Sequence, residues 1–83
     1  MIGILARDGE ALVIVEIKTN NDGQFGAAIE MISHTKQQKL ILLAHELQNQ
    51  YQTETVRVDI ITVDVSKTYP VPKHYKNLIE FHG

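Results

Sequence analysis

The strongest constraint on the fold is a hairpin signal near the start of the chain. Asp8-Gly9 lies between two β-rich runs, IGILA (residues 2–6) and ALVIVEIK (residues 11–18). An Asp-Gly pair is typical of a two-residue type I′ turn, because that turn needs φ > 0 at both central positions. The runs are therefore predicted to be adjacent antiparallel strands. The register that this turn predicts is Arg7 with Glu10, Ala6 with Ala11, Leu5 with Leu12, Ile4 with Val13, Gly3 with Ile14 and Ile2 with Val15.

The second of these strands carries a carboxylate and an ammonium two residues apart, at Glu16 and Lys18. Successive side chains of a strand point to opposite faces, so these two share one face. The predicted register makes Gly3 a diagonal neighbour of Glu16, about 7–8 Å away. A Glu and a Lys two apart on an outward face more often form a solvated edge or a weak ion pair than a functional site. The opposite face is purely aliphatic and is predicted to pack on a helix; it consists of Val13, Val15 and Ile17.

Beyond this hairpin the pattern predicts one helix and one further long strand. Residues 20–26 are predicted to form a loop, and the helix is predicted to begin at Ser33 or Thr35 as its N-cap. VRVDIITVDV is the third strand, residues 66–74 are a loop because of their two prolines, and residues 77–81 are a short last strand or turn. The residues predicted to face the core at helical spacing are Leu40, Leu43, Ala44, Leu47 and Tyr51.

Composition limits the class of protein. The 83 residues make one domain at most. There is no cysteine, which excludes disulfides and thiolate metal sites. The N-terminus lacks the pattern of a signal peptide, and no apolar run approaches the roughly 20 residues of a membrane span, so a soluble cytoplasmic protein is expected. The net charge of −2 means that any phosphate binding must come from a local patch.

Three segments, LARDGEALVIVEIKT, HTKQQKL and VRVDIITVD, together resemble the YraN-like family of uncharacterised bacterial proteins. The resemblance covers residues 2–64 and extends more weakly to Phe81. It implies the restriction-endonuclease-like fold of the Holliday junction resolvases, as a single domain over residues 1–83. That α/β fold is a mixed β-β-α-β-β sheet with one main helix packed on one face. The positions that match the family are Glu16, Lys18, Phe25, Gly26, Glu30, Lys36, Gln37, Leu40, Arg57 and Asp59.

The same resemblance implies a catalytic site on the second strand. The nuclease signature of that superfamily is an Asp on one strand and Glu-x-Lys on the next, and Glu16-Ile17-Lys18 matches the second half. Glu16 and the backbone carbonyl of Ile17 would then be ligands of Mg²⁺, which prefers hard oxygen atoms. Lys18 would position or deprotonate the attacking water or neutralise the phosphate.

The first half of the signature is missing. The metal-binding Asp of the family falls on Gly3, the acid before it falls on Met1, and the usual N-terminal helix has no counterpart. Either the chain is a truncated or degenerate member, or its start has been assigned too far downstream in the gene. One carboxylate holds Mg²⁺ poorly, so weak or absent catalysis is expected. Asp59 and Asp64 are candidates for a replacement ligand.

The start of the predicted helix suggests contact with DNA. SHTKQQK carries two lysines and no acid, and positive charge at a helix N-terminus attracts phosphate. Lys36 and Lys39 are therefore predicted DNA contacts. Two functions stay open: an endonuclease-like protein with impaired hydrolysis, and a non-catalytic nucleic-acid-binding or oligomeric module of the same fold. Exposed apolar surface and an unpaired edge strand also predict a homodimer.

Overall fold

The computed structural model describes residues 2–22, 25–26 and 28–82, and these form a mixed four-stranded sheet with one long helix on one face. The strand order follows the chain: β1 and β2 are antiparallel, β2 and β3 are parallel, and β3 and β4 are antiparallel. This confirms the predicted fold class. The elements are β1 (Ile2–Asp8), β2 (Ala11–Asn20), a 3₁₀ turn (Ala28–Met31), α1 (His34–Tyr51), β3 (Thr55–Asp64) and β4 (Val71–His82).

The hairpin between β1 and β2 differs from the predicted one by two residues in register. Asp8 pairs with Ala11, so the loop consists of Gly9 and Glu10. Gly9 has φ 61° whereas Glu10 keeps a negative φ, which fits a type II′ turn with glycine at its first central position. The prediction was wrong because it placed Asp8 inside the turn. The shift is even, so every side chain of β1 keeps its predicted face, but Gly3 now lies opposite Glu16.

The prediction of which face of β2 meets the helix was also wrong. We call the side of the sheet that carries α1 the helix face; on β2 it is the face of Leu12 and Ile14, and not that of Val13. Both faces of β2 are aliphatic over its first half, so β2 alone does not show which face packs on the helix. The register with β3 determines that face, because it aligns Leu12 with Val56 and Ile14 with Val58. The buried core consists of Leu12, Ile14, Met31, Ile32, Leu40, Ala44, Leu47, Val56, Val58 and Ile60.

Helix α1 begins where a cap is available. The Ser33 hydroxyl accepts a hydrogen bond from the Lys36 backbone N–H at 3.1 Å, which satisfies one of the free donors at a helix start. The helix ends at Gln52, which has φ 52° and donates its N–H to the Gln48 carbonyl. The described part of the chain contains no helix with the length and hydropathy needed to cross a membrane. Of the five residues predicted to face the core, Leu40, Ala44 and Leu47 are buried, whereas Leu43 and Tyr51 are about 40% exposed.

Strand β4 is longer than predicted. It begins at Val71 and so includes Pro72 and His74, which were assigned to a loop. β4 is an edge strand, where a proline without an N–H can be accommodated. Its register against β3 shifts between Val58 and Ile60, and Asn77 adopts φ 59° within the irregularity. The predicted loop at residues 20–26 includes positions 23 and 24, which lie outside the described residues.

Candidate functional site

The candidate site centres on a buried carboxylate at the end of the hydrophobic core. Glu16 follows Ile14 on the helix face of β2 and is only 3% exposed. A buried carboxylate is costly unless it is paired. Its partner is Lys36 in the first turn of α1, whose Nζ lies 3.2 Å from Glu16 Oε1. The Ser33 cap fixes the start of the helix and thereby places Lys36 over the sheet.

Gly3 leaves open space beside this carboxylate. Gly3 and Glu16 are directly opposite across the hairpin. A Cβ at position 3 would lie 3.5 Å from Oε1 and 3.7 Å from Oε2, which is ordinary van der Waals contact. A Cβ atom at position 3 would therefore touch the carboxylate without forcing the strands apart. The space belongs to a cavity of about 260 Å³ between β1 and α1, lined by Gly3, Ile4, Leu5, Ile14, Glu16, Lys36 and Leu43.

Lys18 continues the helix face one row further along β2. It is half-buried and pairs with Thr62 of β3. Thr62 in turn pairs with Lys73 of β4, so two lysines flank this threonine on the row beyond Glu16. Ile17 lies inside the sheet, between Ile2 of β1 and Ile61 of β3. The structure thus brings Glu16, Lys18 and Lys36 to one end of the helix face.

The residues at this point do not fit the Mg²⁺ that the resemblance implies. Magnesium is held by hard oxygen ligands, with one or two carboxylates among them. Glu16 brings one carboxylate, and the Lys36 ammonium already compensates its charge. Within residues 2–22, 25–26 and 28–82, no three histidine or acidic side chains form a group that could hold a metal ion. Met1, where the family has a further acid, lies outside the described residues.

The two aspartates of β3 do not replace the missing acid. Asp59 is aligned with Val15 rather than with Glu16, so its side chain points to the opposite face of the sheet. Asp64 shares the helix face but is aligned with Asn20, four residues beyond Glu16 along β2. Its Oδ1 accepts hydrogen bonds from the Ser66 N–H at 2.9 Å and the Ser66 hydroxyl at 2.5 Å, and these bonds lower the pKa of Asp64.

Asp59 instead centres a polar network on the face away from α1. Its side chain is 1% exposed and meets Arg57 Nε at 3.2 Å and His74 Nε2 at 2.8 Å. The Asn77 N–H donates to Oδ1 at 2.9 Å, which the left-handed backbone at Asn77 permits. Burial alone would raise the pKa of Asp59, but the bonds from Asn77, His74 and Arg57 together hold it below its ordinary value. The network fastens β4 to β3 where their register shifts.

Arg57 also connects this network to β1, on the other side of β2. Its Nη1 donates to Asp8 Oδ2 at 2.8 Å, and the Lys76 ammonium lies 3.8 Å from the same oxygen. The hydrogen bond from Arg57 is the main reason why the pKa of Asp8 is lowered. Sequence reasoning missed this network. The available signal was the alternation of Arg57 and Asp59 with Val56, Val58 and Ile60 in β3, which marks one polar and one apolar face.

The two lysines predicted to contact DNA take different positions. Lys36 is in the ion pair with Glu16, and its side chain is 42% exposed. Lys39 is exposed and follows three residues later, so it lies on the same side of α1. Both lie on the helix-face side of the molecule that carries Glu16.

Fold and site together define a small mixed-sheet α/β domain with a buried, lysine-paired glutamate next to an edge strand. The chain belongs to the uncharacterised protein family UPF0102, whose model matches residues 1–63. That match confirms the resemblance seen in the sequence.

Relatives of known sequence agree with this assignment. A UPF0102 protein of Francisella tularensis subsp. novicida is 40% identical over 68 residues, which is 78% of this chain and 58% of the relative. One of Geobacter metallireducens is 33% identical over 81 residues, which is 95% of this chain and 66% of the relative. This chain thus spans about 58% of the length of the UPF0102 proteins from two Francisella tularensis subspecies. No solved structure matches it.

Proposed function

We propose that this chain is an endonuclease-like protein that binds DNA and hydrolyses its phosphodiester bonds only weakly. The observation that carries the proposal is the position of Glu16, buried at the end of the core with Lys18 on the same face of the same strand. A buried carboxylate is expensive to keep, so its presence where an aliphatic residue would pack favours a functional role. The Glu-x-Lys spacing adds the chemistry that the family resemblance implies.

The weakness of the proposed hydrolysis follows from the partner of Glu16. Lys36 contributes an internal cation at 3.2 Å, so the carboxylate has little charge left to attract a divalent ion. The exposed ammonium of Lys39 and the half-buried one of Lys18 lie on the same side of the sheet. Lysines on one side of a domain attract phosphate and give binding that weakens with salt. DNA binding is therefore the property that the residues support directly.

The test for the site is a gain of function at position 3. Gly3→Asp places a second carboxylate against Glu16, since the Cβ position there is free of clashes. We expect the variant to bind Mn²⁺ in calorimetry and to cleave plasmid or branched DNA with Mg²⁺ or Mn²⁺ at least about tenfold faster than the parent chain. Gly3→Asn is the matched control, because it has nearly the same shape without the charge. Gly3→Asp combined with Glu16→Gln should lose the gain. A gain that survives this second change would refute the site.

The test for DNA binding uses lysines on the two faces. Lys36→Gln and Lys39→Gln together should weaken binding to a labelled duplex several-fold at low salt and reduce the salt slope by about two. Lys76→Gln is the control, because Lys76 lies near Asp8 on the opposite face. Equal losses from both faces would show that the binding is not localised at the site.

The alternative function, a non-catalytic nucleic-acid-binding module, is favoured by one observation, the Lys36–Glu16 pair itself. It predicts DNA binding with no cleavage even after Gly3→Asp. The same two experiments therefore separate the two candidates.

A further inference from the structure

The two edges of the sheet are unequally protected against pairing with another strand. Natural edges are protected by prolines, bulges and charged side chains. β4 has all three, in Pro72, the register shift near Ile60 and the lysines Lys73 and Lys76. β1 is a regular seven-residue strand without proline whose charged residues, Arg7 and Asp8, lie at its end, and in the described sheet it pairs on one side only, with β2. The open edge of this domain is therefore β1.

The hairpin determines which backbone groups of β1 are free. In a two-residue loop the flanking residues, Asp8 and Ala11, form the first hydrogen-bonded pair, and such pairs then alternate along an antiparallel ladder. Gly3, Leu5 and Arg7 consequently point their N–H and C=O groups away from β2. A second β1 strand running antiparallel can bond all of them when Leu5 faces Leu5 of the other copy. The pairing then extends over the full length of β1, with Gly3 opposite Arg7.

We propose that two copies of this chain associate through β1 in this register and form one continuous eight-stranded sheet. The helix faces of both copies lie on the same side, because opposed residues of an antiparallel pair point the same way. Leu5 is 43% exposed, and Leu43 above it on α1 is 40% exposed. Both would be covered by their counterparts in the second copy, which gives the association an apolar component.

Charge complementarity selects a second copy as the occupant of this edge. Both oxygens of Glu16 lie beside Gly3 of the edge strand, at 3.5 and 3.7 Å from a Cβ position there. In the proposed register Arg7 of the second copy lies on the far side of Gly3, about 10 Å from Glu16 between Cα atoms, two strand spacings away. Two long side chains can meet over a glycine at that separation. Arg7 of each copy thus completes the candidate site of the other.

Sedimentation and targeted cross-linking test this dimer. The 9.4 kDa chain should sediment as a species of twice its mass at micromolar concentration. Arg7→Gln should weaken dimerisation at least about tenfold, through the loss of close charge pairs. Leu5→Glu should abolish it, and circular dichroism shows whether either variant is still folded. A monomeric parent chain, or a folded Leu5→Glu variant that remains dimeric, would overturn the interface.

The register has its own test, because the chain has no natural cysteine. Leu5→Cys should react with itself through a short thiol-to-thiol cross-linker. Gly3→Cys and Arg7→Cys should cross-link efficiently only when the two variants are mixed. Leu42→Cys, on a side chain that is 68% exposed on α1, is the control for random collision. Cross-linking of Gly3→Cys alone as efficient as in the mixture would reject this register. None of these measurements depends on DNA binding or cleavage.

Discussion

Gly3 on β1 lies directly opposite Glu16 on β2, and Gly3 places no side chain between the Glu16 carboxylate and the open edge of the sheet. The carboxylate also pairs with Lys36 of α1, whose Nζ lies 3.2 Å from Oε1. The residue at position 3 therefore decides which further charge can approach Glu16 from β1. An aspartate there would add a like charge, whereas glycine leaves room for an opposite charge from another copy. The first prediction concerns the pair that is present within the chain.

Removing the Lys36 ammonium should lower the free energy of unfolding more than removing the ammonium of Lys39. Lys36→Met leaves the Glu16 carboxylate buried without its partner, so we expect the free energy of unfolding to fall by about 2 kcal/mol. This loss of stability is smaller than that expected for a fully buried ion pair, because the Lys36 side chain is 42% exposed. Adding Glu16→Leu should restore most of the loss, since apolar replacements of buried ion pairs pack well. Urea denaturation measures both. Lys39→Met should change stability by less than about 0.5 kcal/mol; an equal loss there would contradict the prediction.

Acid should destabilise the protein through Asp59. Its pKa is lower in the folded state than its ordinary value because of the bonds from Asn77, His74 and Arg57 that outweigh its burial. The stabilisation is thus complete above the unfolded pKa of about 3.9 and is lost as the pH falls through the folded value. Unfolding free energies measured between about pH 6 and pH 2 should show this decline.

Two variants test this pH dependence, and each replaces one aspartate of β3 with asparagine. Asp59→Asn should flatten the acid limb and lower stability at pH 7 by about 3 kcal/mol, because it breaks a buried charged network. Asp64→Asn removes a carboxylate whose pKa is also lowered but which lies at the end of β3 beside Ser66. Its effect on the pH profile should be the smaller one. The opposite ranking would show that Asp59 does not control acid stability.

The end of α1 should accept a stabilising glycine. Gln52 has φ 52°, a left-handed conformation that costs an L-residue with a Cβ atom about 1 kcal/mol or more. Gln52→Gly should raise the free energy of unfolding by about 0.5–1 kcal/mol, even though it removes the hydrogen bond from Gln52 Nε2 to the Asn49 carbonyl. Thermal unfolding followed by circular dichroism suits the measurement. Gln50→Gly, inside the helix, should have the opposite sign.

Two leucines that are two positions apart on α1 should respond very differently to truncation. Leu40 is 1% exposed in the core, and Leu42 is 68% exposed. Leu40→Ala should cost about 2–5 kcal/mol through lost burial and a cavity, which is enough to unfold much of a domain this small. Leu42→Ala should change the denaturation midpoint only slightly. A large loss at Leu42 would mean that its side chain is covered in solution.

Local signals in the sequence predicted the elements well. The Ser33 cap, the buried residues of α1 and the presence of the β1–β2 hairpin all follow from chemistry within a few residues of each position. The predicted register of the hairpin was wrong because Asp-Gly is compatible with more than one turn, and Gly9 occupies the first loop position of a type II′ turn. The predicted length of β4 was wrong because a proline, which is excluded from a central strand, is tolerated in an edge strand.

The layout of the site depended on contacts that are distant in sequence. Glu16 was predicted as a functional residue, but its pairing with Lys36 requires knowing that α1 lies on the face of Leu12 and Ile14. The hairpin alone does not fix that face; the parallel register with β3 does. The sequence therefore supports a prediction about Glu16 and Lys18 and could not show which face of β2 meets the helix.

Two charged centres lie on opposite sides of the same strand pair, since Val15 is aligned with Asp59 and Glu16 with Ile60. A slip of β3 by one residue would turn Arg57 and Asp59 into the core and Val58 out of it. Such a slip would bury these charges without partners, so the misaligned sheet would be far less stable than the correct one. The Asp59 network, besides connecting β4 to β3, thus disfavours one-residue slips of the parallel strands.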